Sequence, residues 1–136
     1  MADWQLPIFD RSAWDQLSSD VGPDSVVILL ASLKNEIRMG EAAMQDYLQA
    51  SDMALLENQA HALKSAARTF GALRLGELCF AIEKYAKAFK ESGTESSFDS
   101  QSDSMVRRTQ LAALLAEFKE LSEASMAVLD DINRER

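Results

Sequence analysis

One histidine occurs in the 136 residues, and two cations stand close behind it. The segment reads His61-Ala62-Leu63-Lys64-Ser65-Ala66-Ala67-Arg68-Thr69-Phe70-Gly71. Wound as a helix and measured from Leu63, it places Leu56, Ala60, Ala67 and Phe70 within ~60° of one direction, and His61, Lys64, Ser65 and Arg68 ~100–200° away. The first group can face a core. The second faces water, with an imidazole, two positive charges and a hydroxyl together.

An imidazole has an ordinary pKa of ~6.5 and is a good nucleophile when neutral near pH 7. From a solvent-facing helix position it can accept a phosphoryl group in line from a donor on another protein. The phosphoryl oxygens then need positive charge, which Lys64 at i+3 and Arg68 at i+7 are placed to supply. Ser65, at i+4, is small enough to admit the incoming group and a close partner. The chain has no glycine-rich phosphate loop, so ATP is not the donor.

Helices must hold these groups. Residues 1–9 read as an extended lead-in, followed by a short helix from Asp10 to Asp20 with Phe9, Trp14 and Leu17 as its apolar contacts. Gly22-Pro23 ends it and opens a helix to Ala50, with Val26, Leu30, Leu33, Ile37, Met44, Tyr47 and Leu48 on one stripe. Gly40 lies on that stripe, as a point of close approach or a bend. Ser51-Asp52 is an N-cap signal for the helix carrying His61, which runs to Phe70. Gly71 suits the left-handed position after it. A fourth helix spans 72–91, with Leu75, Leu78, Cys79, Ile82, Tyr85, Ala86 and Phe89 inward. Serine-rich residues 93–102 read as a flexible loop, and a last helix spans 103–133. Its inward residues are Leu111, Leu114, Leu115, Phe118, Leu121, Ser125, Val128, Leu129 and Ile132. The predicted fold is all-α: an up-and-down antiparallel four-helix bundle with a short extra N-terminal helix, residues 1–136 forming one domain.

Composition agrees. Five glycines and two prolines leave helix formers dominant. A single cysteine points to a reducing, cytoplasmic setting. The Met1-Ala2-Asp3-Trp4 start lacks a basic secretory n-region, and the longest apolar run, Val26 to Ala31, is too short to span a bilayer. A net charge of -8 argues against nucleic acid and membrane surfaces as partners. A closed bundle with a polar exterior suggests a monomer.

His61-x-x-Lys64-Ser65, then Phe70-Gly71-Ala72-x-x-Leu75, then Cys79-x-x-Ile82-Glu83 resembles the signature of histidine-containing phosphotransfer (HPt) domains. The resemblance is strongest over residues 50–90. Ala81 to Lys87 adds likeness to the single-domain members of bacterial quorum-sensing relays. The resemblance implies that His61 is the phospho-accepting nucleophile, that Lys64 stabilises the phosphoryl group, that Ser65 takes the small-residue position, and that Gly71 ends the active helix. Ala66 and Ala67 stand where many members carry serines, and Arg68 lies outside the usual signature. It further implies a phosphocarrier without ATP site or independent turnover. Phosphate would come from an aspartate in the receiver domain of a hybrid sensor kinase and pass to a response regulator, with Mg²⁺ held by the receiver and no cofactor on this chain. The alternative is a helical adaptor that binds receivers without transfer.

On the fourth helix Leu73, Phe80, Lys84 and Lys87 lie ~140–200° from the Ile82 direction. Leu73 and Phe80 pack under a neighbouring segment, or they anchor a partner inside a rim of lysines. Cys79 falls on the inner stripe as a small hydrophobe. Glu57 and His61 have i, i+4 metal-ligand spacing but no second histidine to complete a site. The acidic end at Asp130 and Asp131 reads as a solvated face.

Overall fold

The computed structural model describes residues 7–92 and 100–134, with side chains over 7–91 and 105–134. Asp10 starts the first helix, α1 (Arg11–Val21), by accepting from the Ser12 backbone at 3.0 Å and from the Ser12 hydroxyl at 2.6 Å. The Ser12 hydroxyl bond is the main cause that holds the Asp10 carboxyl below its ordinary value. Gly22, at φ +88°, turns the chain, and Pro23 occupies the first position of α2 (Pro23–Gln49).

Asp52 caps α3 (Met53–Thr69), accepting from Leu55 N at 3.2 Å. Ser51, the other half of the predicted signal, instead takes a positive φ in the turn. The α3 end is a Schellman motif: Gly71 N donates to Arg68 O at 3.1 Å and Ala72 N to Ala67 O at 2.9 Å, with Gly71 at φ +85°. α4 (Leu73–Ser92) follows directly, and α5 (Ser100–Arg134) completes the chain. Residues 1–6 of the predicted lead-in and 93–99 of the predicted loop lie outside the described residues. Positions 100–102, predicted as loop, are helical; serine suits a first helical turn as readily as a loop.

α2 packs on α3 and α5, and α4 packs on the same two, closing a ring of four, with α1 laid on α2 and α3. Cross-links fix the directions. Arg108, early in α5, donates to Leu48 O at the end of α2 at 3.0 Å, while Lys34, in the first half of α2, reaches Asp130 late in α5. Lys90 near the end of α4 meets Glu57 near the start of α3 at 2.7 Å. Both pairs of helices therefore run antiparallel. Arg108 also donates to the Ser51 hydroxyl and so adds a side-chain tie to a helix end whose Leu48 and Tyr47 carbonyls already accept from Ser51 N at 3.1 Å and Asp52 N at 2.8 Å.

The interior is the set of apolar stripes read from the periodicity. Val26, Leu30, Leu33, Ile37, Met44 and Leu48 meet Leu56, Ala60, Leu63, Ala67, Leu75, Leu78, Cys79, Ile82, Leu111, Leu115, Phe118 and Leu129. Gly40 is a point of close approach inside an unbroken helix: a Cβ there would stand 2.8 Å from Leu63 Cδ1. α1 seals one end through Trp14, whose ring lies 6.4 Å from that of Phe70. Gly71 serves this seal as well, since a Cβ on it would fall 2.5 Å from Asp10 O. Among the described residues no helix is long and apolar enough to cross a membrane.

One surface expectation needs correction. Asp130 is half-buried and paired with Lys34, because the antiparallel α2–α5 register brings them together. Glu57 is engaged by Lys90. Among the described residues no group of three or more His, Cys, Asp or Glu side chains is placed to hold a metal.

Candidate functional site

The α3–α4 hairpin packs so that the polar side of α3 looks along α4. His61 projects outward with its side chain 60% exposed. Its Nδ1 lies 3.0 Å from Glu83 Oε2 on α4, and the other oxygen, Oε1, accepts from Lys64 Nζ at 2.7 Å. One carboxylate thus ties the imidazole to the lysine. Burial pushes the Glu83 carboxyl up, but hydrogen bonds and charge from Lys64 and His61 outweigh it and hold it below its ordinary value. Glu83 is therefore an anion at neutral pH. An ionised carboxylate only accepts, so a neutral His61 donates from Nδ1 and carries its lone pair on Nε2, in a side chain that is mostly exposed.

Lys64 is not the freely solvated cation that helix spacing suggests. Its side chain is 12% exposed. At ~100° from Leu63 it sits on the edge of the buried stripe, and α4 covers it. Glu83 takes its charge while Phe80 supports its stem, with Nζ 4.9 Å from the ring centroid. Phe80 itself is half-buried beneath three cations, with Arg68 Cζ at 5.9 Å and Lys84 Nζ at 4.6 Å. Each lies within the range of a cation–π attraction.

The remaining predicted residues fall as follows. Ser65 and Arg68 are exposed on α3, and the Ser65 carbonyl accepts from Thr69 Oγ1 at 2.9 Å. Lys84 and Lys87 are exposed on α4, whereas Leu73 is half-buried. Phe80 and Lys84 thus join the histidine face directly, and Leu73, at the first residue of α4, stands toward the hairpin turn. Cys79 lies just beneath, fully buried, and burial raises its thiol to about 12, so it is an inert hydrophobe at neutral pH.

Glu83 is the residue that helix-by-helix reading missed. It stands in the quoted Cys79-x-x-Ile82-Glu83 pattern without a role. The available signal was an acid flanked by Phe80, Lys84 and Lys87 on one helical face, opposite a face holding His61 and Lys64.

Comparison with known proteins agrees with this geometry. The phosphorelay protein LuxU of Vibrio harveyi is 34% identical over 92 residues, which cover 66% of this chain and 81% of that protein. No solved structure matches the chain. The Hpt domain family matches residues 28–129, from within α2 to within α5, and so takes in the whole His61 face. The chain belongs to the Hpt domain family.

Proposed function

We propose that this protein is a phosphorelay carrier that takes a phosphoryl group onto His61 Nε2 from a receiver-domain aspartate and hands it to a second receiver. One observation carries the reading: an exposed imidazole with one nitrogen bound to an anionic carboxylate, which leaves the other as the nucleophile. In the forward step the Nε2 lone pair forms the N–P bond as the bond from phosphorus to the aspartyl oxygen breaks. The aspartate leaves as carboxylate, and the ring becomes a phosphoimidazolium that keeps its Nδ1 proton. Glu83, 3.0 Å away, offsets that new positive charge and holds the ring in the required tautomer. Lys64 supplies charge to the phosphoryl oxygens from its place beside Glu83.

The reverse step balances in the same way, so the direction of flow follows the phosphorylation of the partners. Mg²⁺ belongs to the receiver on this reading, and the carrier neither binds ATP nor turns over alone. It works as a cytoplasmic monomer. Resemblance to LuxU supports a relay role, and family membership supports the histidine chemistry.

The test is incubation of a labelled phospho-receiver with wild type and with His61→Gln. Label should reach the wild type alone. Equal label on both, or binding of the receiver with label on neither, would leave an adaptor in its place.

A further inference from the structure

Gly76 lies in the first turns of α4, where alanine is the better helix former. Nothing in its backbone requires glycine, for its φ is not positive. What fills the space of the missing side chain is Arg68. A Cβ at Gly76 would meet Arg68 Cγ at 2.9 Å, Nε at 3.5 Å and Cδ at 3.8 Å. The stem of Arg68 therefore lies in a notch on α4, and the guanidinium leaves the notch toward Phe80, 5.9 Å from the ring centroid.

The charge that this arrangement presents differs from that of its neighbour. Lys64 is held within the site by its pair with Glu83. No carboxylate among the described residues pairs with Arg68, which is exposed on a chain of net charge -8. A planar guanidinium steadied on an aromatic ring retains its outer N–H fork for a carboxylate.

We infer that Gly76 is a positioning residue, a notch that aims Arg68 at an acidic side chain on the docking receiver. The inference rests on the relay reading above. A receiver that holds Mg²⁺ beside its phospho-aspartate must line that place with carboxylates, because this cation binds through oxygen ligands of that kind. Arg68 is two helical turns along α3 from His61, on the same face, so a receiver seated over the imidazole brings its acidic rim within reach. Arg68 then acts on docking and leaves the chemical step to His61.

The test measures transfer from a labelled phospho-receiver over a range of receiver concentrations, for wild type, Gly76→Ala, Arg68→Ala and the double variant. Arg68→Ala should raise the receiver concentration giving half-maximal single-turnover rate about fivefold, the size of one exposed ion pair, with the saturating transfer rate nearly unchanged. Gly76→Ala should match it, since the new methyl evicts the arginine stem. The double variant should be no worse than either single one, and the difference from wild type should shrink at high salt. Melting midpoints provide a second reading that needs no receiver. Alanine at position 76 should lower the midpoint in the wild-type background and raise it in the Arg68→Ala background. Equal effects in both backgrounds, or wild-type transfer by Gly76→Ala, would overturn the notch while leaving the relay reading standing. Absence of label on the wild type would overturn the relay reading and this inference with it.

Discussion

Among the lysine–carboxylate pairs that bridge neighbouring helices of the ring, two lie on opposite sides of the bundle. Lys64–Glu83 joins α3 to α4 at 2.7 Å with side chains 12% and 18% exposed. Lys34–Asp130 joins α2 to α5 at 2.5 Å with side chains 41% and 39% exposed. The second pair lies in an open groove with Ile37, Arg38, Glu41 and Met126. The first has an imidazole on its second carboxylate oxygen and an aromatic ring under its ammonium. An ion pair between helices is thus no mark of function by itself. The mark is a third group, one able to do chemistry, held by the same carboxylate in a place partly shielded from water.

That contrast can be broken most severely at His61. His61→Gln should abolish acceptance of label from a phospho-receiver, while Asp130→Ala should accept it at the wild-type rate; a gel-based transfer assay reads both. The next largest effect lies beneath the site. Leu63→Ala removes a side chain packed against Gly40 and the core, and denaturant unfolding should show a loss of ~2–5 kcal/mol.

Glu83→Ala comes next. It leaves Lys64 largely covered and without its carboxylate, at a cost of ~1–3 kcal/mol in the same unfolding experiment, and transfer should slow as the imidazole loses its anchor. A stability change near zero would mean that Lys64 swings freely into water. The pair should also show itself in acid. Glu83 titrates below 4.5 in the folded chain, so its contribution is complete above that value and fades as pH falls through the lower, folded one. Melting midpoints taken between about pH 6 and pH 3 should therefore fall less steeply for Glu83→Gln than for wild type. The smallest effect is expected on the far side, where Asp130→Ala should cost less than ~1 kcal/mol because the half-buried partners remain far more exposed to water than Lys64 and Glu83.

The periodicity of single helices carried much of this. Leu56, Ala60, Leu63 and Ala67 are buried and His61 is exposed, as the 3.6-residue spacing requires, because each fact concerns one helix against a common core. The caps at Asp52 and Gly71 were legible for the same local reason. Facts between helices were not. Glu83, the covering of Lys64 and the notch at Gly76 depend on the register of α3 against α4, and no spacing within one helix records that register. The pairing of Asp130 with Lys34 joins residues 96 apart in the chain and was hidden for the same cause.

Because the chain has a single histidine, its two imidazole nitrogens give an isolated pair of signals in a ¹⁵N-labelled sample. NMR after incubation with a phospho-receiver tests the chemistry at the level of the atom. Coupling to ³¹P should be found on Nε2, with a proton retained on Nδ1 toward Glu83. Coupling on Nδ1 would contradict the role of Glu83, and receiver dephosphorylation with no ³¹P coupling on either nitrogen would contradict His61 as the acceptor.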